Sequence, residues 1–158
     1  MPLETDLLET ARRLLQPRNR KGRPRQADLR RAVSTAYYAV FHALCRLCAD
    51  VVIGRRRDTR RAWQQVYRAV QHGEAKKRCN QLTKVDFPFE LKDFCAIFMH
   101  LQERRHEADY DPLACFTLKD VQQLVAMAER AVRILNNSSL DRKHKRALIA
   151  WMLFPKRT

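Results

Sequence analysis

Hydrophobic residues recur at steps of three and four along most of the chain, the spacing typical of helices that bury one face. Glycine occurs only 3 times, and the Asn-Gly and Asp-Gly pairs of tight hairpins are absent. The pattern therefore predicts an all-α protein. It places helices over residues 3–15, 26–50, 63–73, 87–109, 118–135 and 139–154.

Local signals indicate where some of these helices begin and end. Thr117 and Ser139 are suitable N-cap residues for the last two helices. Pro112 disfavours helical geometry in the residue before it, so the fourth helix is predicted to end near Asp109 or Tyr110.

The length and composition predict one domain over residues 1–158. With 158 residues and 46% hydrophobic content, the chain can bury one core. We expect the core to span about 26–135, with a basic loop at 17–25 and a C-terminal helix at 139–154. The loop contains two prolines and a glycine among its arginines and lysine, which predicts either a solvated segment or an arm that contacts phosphates.

The charge balance favours a polyanionic partner. The chain has 32 Lys and Arg against 17 Asp and Glu, a formal net charge of +15 and a pI near 10.3, which favours RNA or DNA. An anionic membrane surface is the competing partner. The longest uncharged stretch, 32–45, is too short to span a bilayer and the N-terminus lacks a signal-peptide core, so we expect a cytoplasmic protein without a membrane partner. The predicted nucleic-acid surface consists of Arg18, Arg20, Lys21, Arg23, Arg55, Arg56, Arg57, Arg142, Lys143, Lys145 and Arg146.

The cysteines do not predict a metal site. There are 5 of them, and Cys45 and Cys48 form the one C-x-x-C pair, without the second pair that a four-ligand zinc site needs. We expect reduced thiols packed in the core, and neither a metal nor a cofactor. Motifs typical of nucleotide hydrolases, dinucleotide enzymes, zinc proteases and serine hydrolases are also missing from the sequence.

The end of the fourth helix is the main candidate site. Arg104 and Arg105 follow Ile97 and Phe98 by seven residues, so at least one guanidinium should point toward the core. A buried charge needs an anionic partner, which a nearby carboxylate such as that of Asp109 or a bound phosphate would supply.

A polar row lies beside the apolar face of the second helix. Arg30, Ser34, Tyr38, His42 and Arg46 recur at steps of four. In one interpretation, Tyr38 packs its ring and His42 is hydrogen-bonded within the bundle. In the other, the row forms the second wall of the arginine cluster.

Two segments together resemble the HEPN superfamily of prokaryotic helical domains. They are RAVSTAYYAVFH at 31–42 and RHEADYDP at 105–112, and residues 63–79 are similar to the middle of one HEPN branch. The resemblance covers about 26–135. It implies an up-and-down bundle of four to five main helices, here with a short extra N-terminal and C-terminal helix, and a homodimer.

The resemblance also implies a function. Many HEPN domains are metal-independent RNases of toxin–antitoxin, CRISPR or antiphage systems, and others are nucleotide-binding or accessory domains beside a nucleotidyltransferase. The active RNases carry histidine four to six residues after arginine, a spacing that is absent after Arg104 or Arg105. Three hypotheses follow. The first is an RNA-directed toxin or defence protein that cleaves RNA without metal, and the second is a non-catalytic dimer module that binds a nucleotide or nucleic acid. The third is a structural dimer module in which Arg-Asp pairs brace the helix end. An antitoxin or a nucleotidyltransferase is the corresponding partner.

For the catalytic hypothesis, the candidate residues come from the two segments and from Arg104, which directly precedes the second one. Cleavage needs groups that move protons and a cation that holds the phosphate. The catalytic candidates are Arg104, Arg105, His106, Asp109 and Tyr110, and the binding candidates are Ser34, Tyr37, Tyr38 and His42.

Overall fold

The computed structural model describes residues 1–17, 22–154 and 156, and the predicted all-α fold class is confirmed. Within these ranges the secondary structure consists of helices and turns, without a strand. The helices are α1 (Leu3–Leu14), α2 (Gln26–Val52), α3 (Arg60–Ala69), α4 (His72–Leu82), α5 (Phe89–Tyr110), α6 (Leu118–Asn136) and α7 (Arg142–Leu153).

Helix α2 is the centre of the bundle and contacts α1, α3, α5, α6 and α7. Contacts between helix ends show how the helices run relative to α2. Arg30, near the start of α2, binds the carbonyl of Ala108 at the end of α5, so these helices are antiparallel. Arg46, near the end of α2, binds Asn136 at the end of α6, so these are parallel. Arg46 also pairs with Glu4 at the start of α1, which makes α1 antiparallel to α2.

One continuous cluster of buried apolar residues joins these helices. Tyr37, Phe94 and Phe98 are the largest side chains in it that are fully buried. Alanines 32, 36, 39 and 43 are at most 2% exposed. Their small side chains let neighbouring helices approach α2 closely, which explains how one helix can contact five others.

The predicted helix at 63–73 is wrong in its extent, because the chain turns between α3 and α4. Val70 and Gln71 have extended backbones, with ψ of 122° and 140°. Val70 is buried in the core, and the His72 ring stacks on Phe41 with 3.8 Å between centroids. These tertiary contacts stabilise the turn, and Gly73 is the second residue of α4 instead of the end of a helix.

Two of the three helix ends that local sequence signals predict are confirmed by the structure. Helix α5 ends at Tyr110, as Pro112 predicts, and the Thr117 side chain accepts a hydrogen bond from the Asp120 amide, as predicted for an N-cap. The predicted cap at Ser139 is wrong. Asp141 caps α7 by accepting from the Lys143 amide at 2.9 Å, so the cap lies two residues later than predicted and the helix begins at Arg142.

The cysteines are free thiols, and four of the five are buried: Cys45, Cys48, Cys79 and Cys95. Cys115 is exposed, contrary to the prediction that the cysteines pack in the core, because it lies in the turn between α5 and α6. Within the described ranges, the helices lack a stretch long and apolar enough to cross a membrane.

Candidate functional site

The end of α5 crosses the start of α2 and forms a cleft of about 460 Å³. Ala108 is buried where the two helices meet, and its small side chain permits their close contact. We call this cavity the α2–α5 cleft. It is lined by Ala27, Arg30, Arg31, Ser34, Tyr38, Ala108, Asp109 and Tyr110.

Arg105 is the arginine that turns toward the core, as the spacing predicts. Its side chain is 12% exposed, and its guanidinium carbon lies 5.2 Å from the Tyr37 ring centroid and 5.9 Å from that of Tyr38. The Tyr110 ring centroid is also 5.9 Å away, so three aromatic rings surround the cation and hold it in place. Its Nε is buried and has no hydrogen-bond partner among the described residues. An unmade hydrogen bond of this kind costs about 1–3 kcal/mol.

Asp109 provides the counter-charge, at long range. Its Oδ2 lies 3.5 Å from Arg105 Nη1 and accepts a 3.3 Å hydrogen bond from the Ser34 hydroxyl. Both distances are at the long end for these interactions. The polar row of α2 and the arginine cluster thus meet at one carboxylate oxygen.

The remaining members of the arginine cluster face elsewhere. The Arg104 guanidinium lies 4.7 Å from the Phe116 ring centroid and pairs with Glu107. His106 is exposed, and its ring packs on Tyr110 with 4.9 Å between centroids. Of the five catalytic candidates, Asp109 and Tyr110 line the cleft. Arg105 lies beside it, against Asp109 and Tyr38, whereas Arg104 packs on Phe116 and His106 packs on Tyr110.

Arg30 and Gln26 fix the position of the α5 end. Arg30 donates to the carbonyls of Ala108 and Ala114 at 3.1 and 2.6 Å, where the helix dipole favours a cation. Gln26 accepts from the Phe116 amide and donates to its carbonyl. Arg31, by contrast, is exposed at the mouth of the cleft and makes no ion pair with a described residue.

His72 lies beside this site and was not among the candidates from the sequence. Its Nδ1 is 2.6 Å from the Tyr37 hydroxyl, and its carbonyl accepts from Gln102 at 3.1 Å. Burial lowers the pKa of His72, and the charges of Arg105 and His42 lower it further. The one signal in the sequence is that a buried tyrosine at 37 needs a hydrogen-bond partner, which does not say which residue provides it.

The other binding candidates are also tied into the bundle. His42 Nδ1 lies 2.6 Å from the Tyr67 hydroxyl of α3, and burial lowers the pKa of His42. The pKa of Tyr67 is raised to about 12, chiefly by burial. The pKa of the fully buried Tyr37 is raised for the same reason. His42 thus has the hydrogen bond within the bundle that the first interpretation of the polar row expects.

The predicted nucleic-acid surface is exposed where the structure describes it, except for the half-buried Lys145. Arg55 and Arg56 pair with Asp50 and Asp58. Ion pairs with described residues are absent for Arg23, Arg57, Arg142, Lys143, Lys145 and Arg146. Arg18, Arg20 and Lys21 lie outside the described residues.

The arrangement as a whole is a cationic cleft with a fixed guanidinium at its side. Among the residues that the structure describes, there is no group of three His, Cys, Asp or Glu side chains that could hold a metal ion. Comparison with known proteins found no matching family model, no matching curated protein and no matching solved structure.

Proposed function

We propose that this protein is an RNA-binding member of the HEPN superfamily, of the toxin–antitoxin or defence type, whose α2–α5 cleft holds a phosphate of the RNA backbone. The proposal rests mainly on the surroundings of Arg105. This arginine is a nearly buried cation whose Nε has no partner among the described residues and whose carboxylate partner is 3.5 Å away.

A phosphate suits this arginine better than Asp109 does. The planar guanidinium binds phosphate through two parallel hydrogen bonds, and the rings of Tyr37 and Tyr38 hold it in place before the ligand arrives. Ser34 and Arg31 supply further donors around the cleft. The ligand would displace the long contacts to Asp109 and gain shorter, charge-assisted ones.

The surroundings of the cleft favour RNA among polyanions. The net charge of +15 attracts a phosphate backbone, and each phosphate contact releases counterions. Tyr110 is 66% exposed at the cleft, where an unpaired base can stack on its ring. Unpaired bases of this kind are the usual target of sequence-reading RNA-binding proteins.

Metal-independent cleavage is a second candidate function, favoured by histidines close to the cleft. His106 lies behind Tyr110, and His72 and His42 lie 5.8 and 6.3 Å, between ring centroids, from Tyr38. In this reaction a histidine removes the proton of a ribose 2′-hydroxyl, whose oxygen attacks phosphorus. The bond to the 5′-oxygen breaks, an acid protonates that oxygen, and Arg105 stabilises the charge on the phosphoryl oxygens. The products are a 2′,3′-cyclic phosphate and a 5′-hydroxyl.

The proposal includes a homodimer and an antitoxin or nucleotidyltransferase partner. Both follow from the HEPN resemblance of residues 31–42 and 105–112. The exposed ring of Tyr110 beside the cleft is consistent with a second copy that covers part of this surface.

The test compares Arg105→Gln with Arg104→Gln. Both variants lose one positive charge at neighbouring positions of α5, but only Arg105 lies beside the cleft. Binding of a labelled single-stranded RNA is measured by fluorescence anisotropy at several salt concentrations. We expect Arg105→Gln to weaken binding about tenfold or more, the loss of one charged hydrogen-bonding contact, and Arg104→Gln to weaken it much less. Equal losses would show that RNA is held by surface charge alone.

A further inference from the structure

A second and larger groove lies between the ends of α4 and α7. Its volume is about 1010 Å³, and it shares no lining residue with the α2–α5 cleft. One wall comes from α4 and the turn after it, and the other from α7 together with Phe154 and Lys156. We call it the α4–α7 groove.

The floor of this groove is apolar and exposed. Phe154 is 69% exposed, Val85 is 37% exposed and Trp151 is half-buried. Helix α7 already buries Leu148 and Met152 in the core, and Trp151 packs partly against it, but Phe154 is not part of that cluster. Clustered apolar side chains that face solvent typically mark a surface that binds a partner.

The rim of the groove is cationic. Lys77, Lys84 and Lys156 are exposed, and none forms an ion pair with a described residue. Arg78 differs from them, because Glu74 and Gln81 hold its guanidinium. The described lining includes no carboxylate, so the positive charge of the rim is not compensated there.

We propose that the α4–α7 groove binds an acidic amphipathic helix of a partner protein. The apolar face of that helix lies on Val85, Trp151 and Phe154, and its carboxylates face the three lysines. This is the helix-in-groove mode of recognition, in which apolar anchors one turn apart supply affinity. The opposite charges orient the segment and speed its association.

The shape and chemistry of the groove favour this occupant over other anions. A flat bilayer surface would not fill a concave groove of about 1010 Å³. A nucleic-acid backbone would pair with the lysines but would leave the apolar floor uncovered. A helix with one apolar face and acidic flanks covers the apolar floor and also pairs with the lysines. The proposal does not depend on RNA binding at the α2–α5 cleft.

The experiment uses the full-length protein and a display library of random peptides of about 16 residues, long enough for four helical turns. We expect the selected peptides to be rich in Asp and Glu and to carry apolar residues at steps of three and four. Synthetic versions of them are then titrated by fluorescence anisotropy. Phe154→Ala should weaken their binding about thirtyfold, the loss typical of an aromatic anchor. The double variant Lys77→Glu/Lys84→Glu should weaken it at least as much.

Matched controls separate the groove from general effects. Leu113→Ala removes another exposed apolar side chain, 87% exposed on the turn after α5, and Lys119→Glu/Arg133→Glu reverses two exposed charges on α6. Both should bind the peptides like the parent. The proposal is overturned if selected peptides lack acidic residues, or if their binding does not change in Phe154→Ala. It is also overturned if a single-stranded RNA or anionic lipid vesicles bind this groove with the same dependence on Phe154 and no peptide does.

Discussion

The hydroxyl of Tyr37 and Nδ1 of His72 lie 2.6 Å apart and join the centre of α2 to the first residue of α4. Tyr37 is fully buried, so water cannot reach its hydroxyl and His72 is the partner that replaces it. The same tyrosine presents its ring to the guanidinium of Arg105. The pair therefore connects the turn between α3 and α4 to the candidate phosphate site.

Tyr37→Phe should lower the stability of the protein. It deletes one hydroxyl and leaves His72 Nδ1 without that partner, which should reduce the free energy of unfolding by about 1–3 kcal/mol. Urea denaturation followed by circular dichroism measures the change. Tyr110→Phe is the control, because Tyr110 is 66% exposed. A loss that is the same in both variants would contradict a stabilising Tyr37–His72 bond.

Stability should fall as the pH is lowered through about 6.5, the ordinary pKa of histidine. The folded protein lowers the pKa of His42 and of His72, chiefly by burial, so the unfolded chain takes up these protons first. The contribution of these two histidines to the free energy of unfolding is therefore present above about pH 6.5. It is lost as the pH falls toward their lowered pKa values in the folded protein. Urea denaturation at a series of pH values measures the slope. The slope should become shallower in His42→Gln and in His72→Gln, and an unchanged slope in both variants would contradict this assignment.

If the protein cleaves RNA, the reaction should proceed in EDTA and leave a 2′,3′-cyclic phosphate or its opened form. Arg105→Ala should lower the rate about a hundredfold to a thousandfold, the cost of removing a group that stabilises transition-state charge. The rates of His106→Ala and His72→Ala are compared with that of the parent, and the variant with the larger loss identifies the histidine that moves the proton. The assay uses total RNA and variants with parental circular dichroism spectra. Parental rates in folded Arg105→Ala, or an inactive parent, would leave RNA binding without cleavage as the function.

The proposed homodimer should appear in light scattering coupled to size-exclusion chromatography, with a mass of twice the 18.7 kDa chain. Tyr110→Glu places a charge on the exposed ring position beside the cleft and should shift the mass toward the monomer. Phe89→Glu is the control, because Phe89 is 73% exposed at the opposite end of α5. A monomeric parent at micromolar concentrations would contradict the dimer and a site shared between two copies.

The sequence by itself determined the helical class and most helix limits. Apolar residues at steps of three and four define a buried face within each helix, and Pro112 ends α5 through local sterics. The same periodicity indicated that an arginine near the end of α5 faces the core. These features depend on neighbours along the chain, so they can be inferred without knowing the fold.

The tertiary structure decided which elements meet. A helical stripe gives the direction of a side chain but not the residue that it contacts, so the sequence did not distinguish Arg105 over Tyr37 from Arg104 over Phe116. The turn at Val70 and Gln71 follows from burial of Val70 and stacking of His72 on Phe41, which are contacts with a distant helix. The His72–Tyr37 pair and the α4–α7 groove arise in the same way, because residues far apart in sequence become neighbours only when the helices pack.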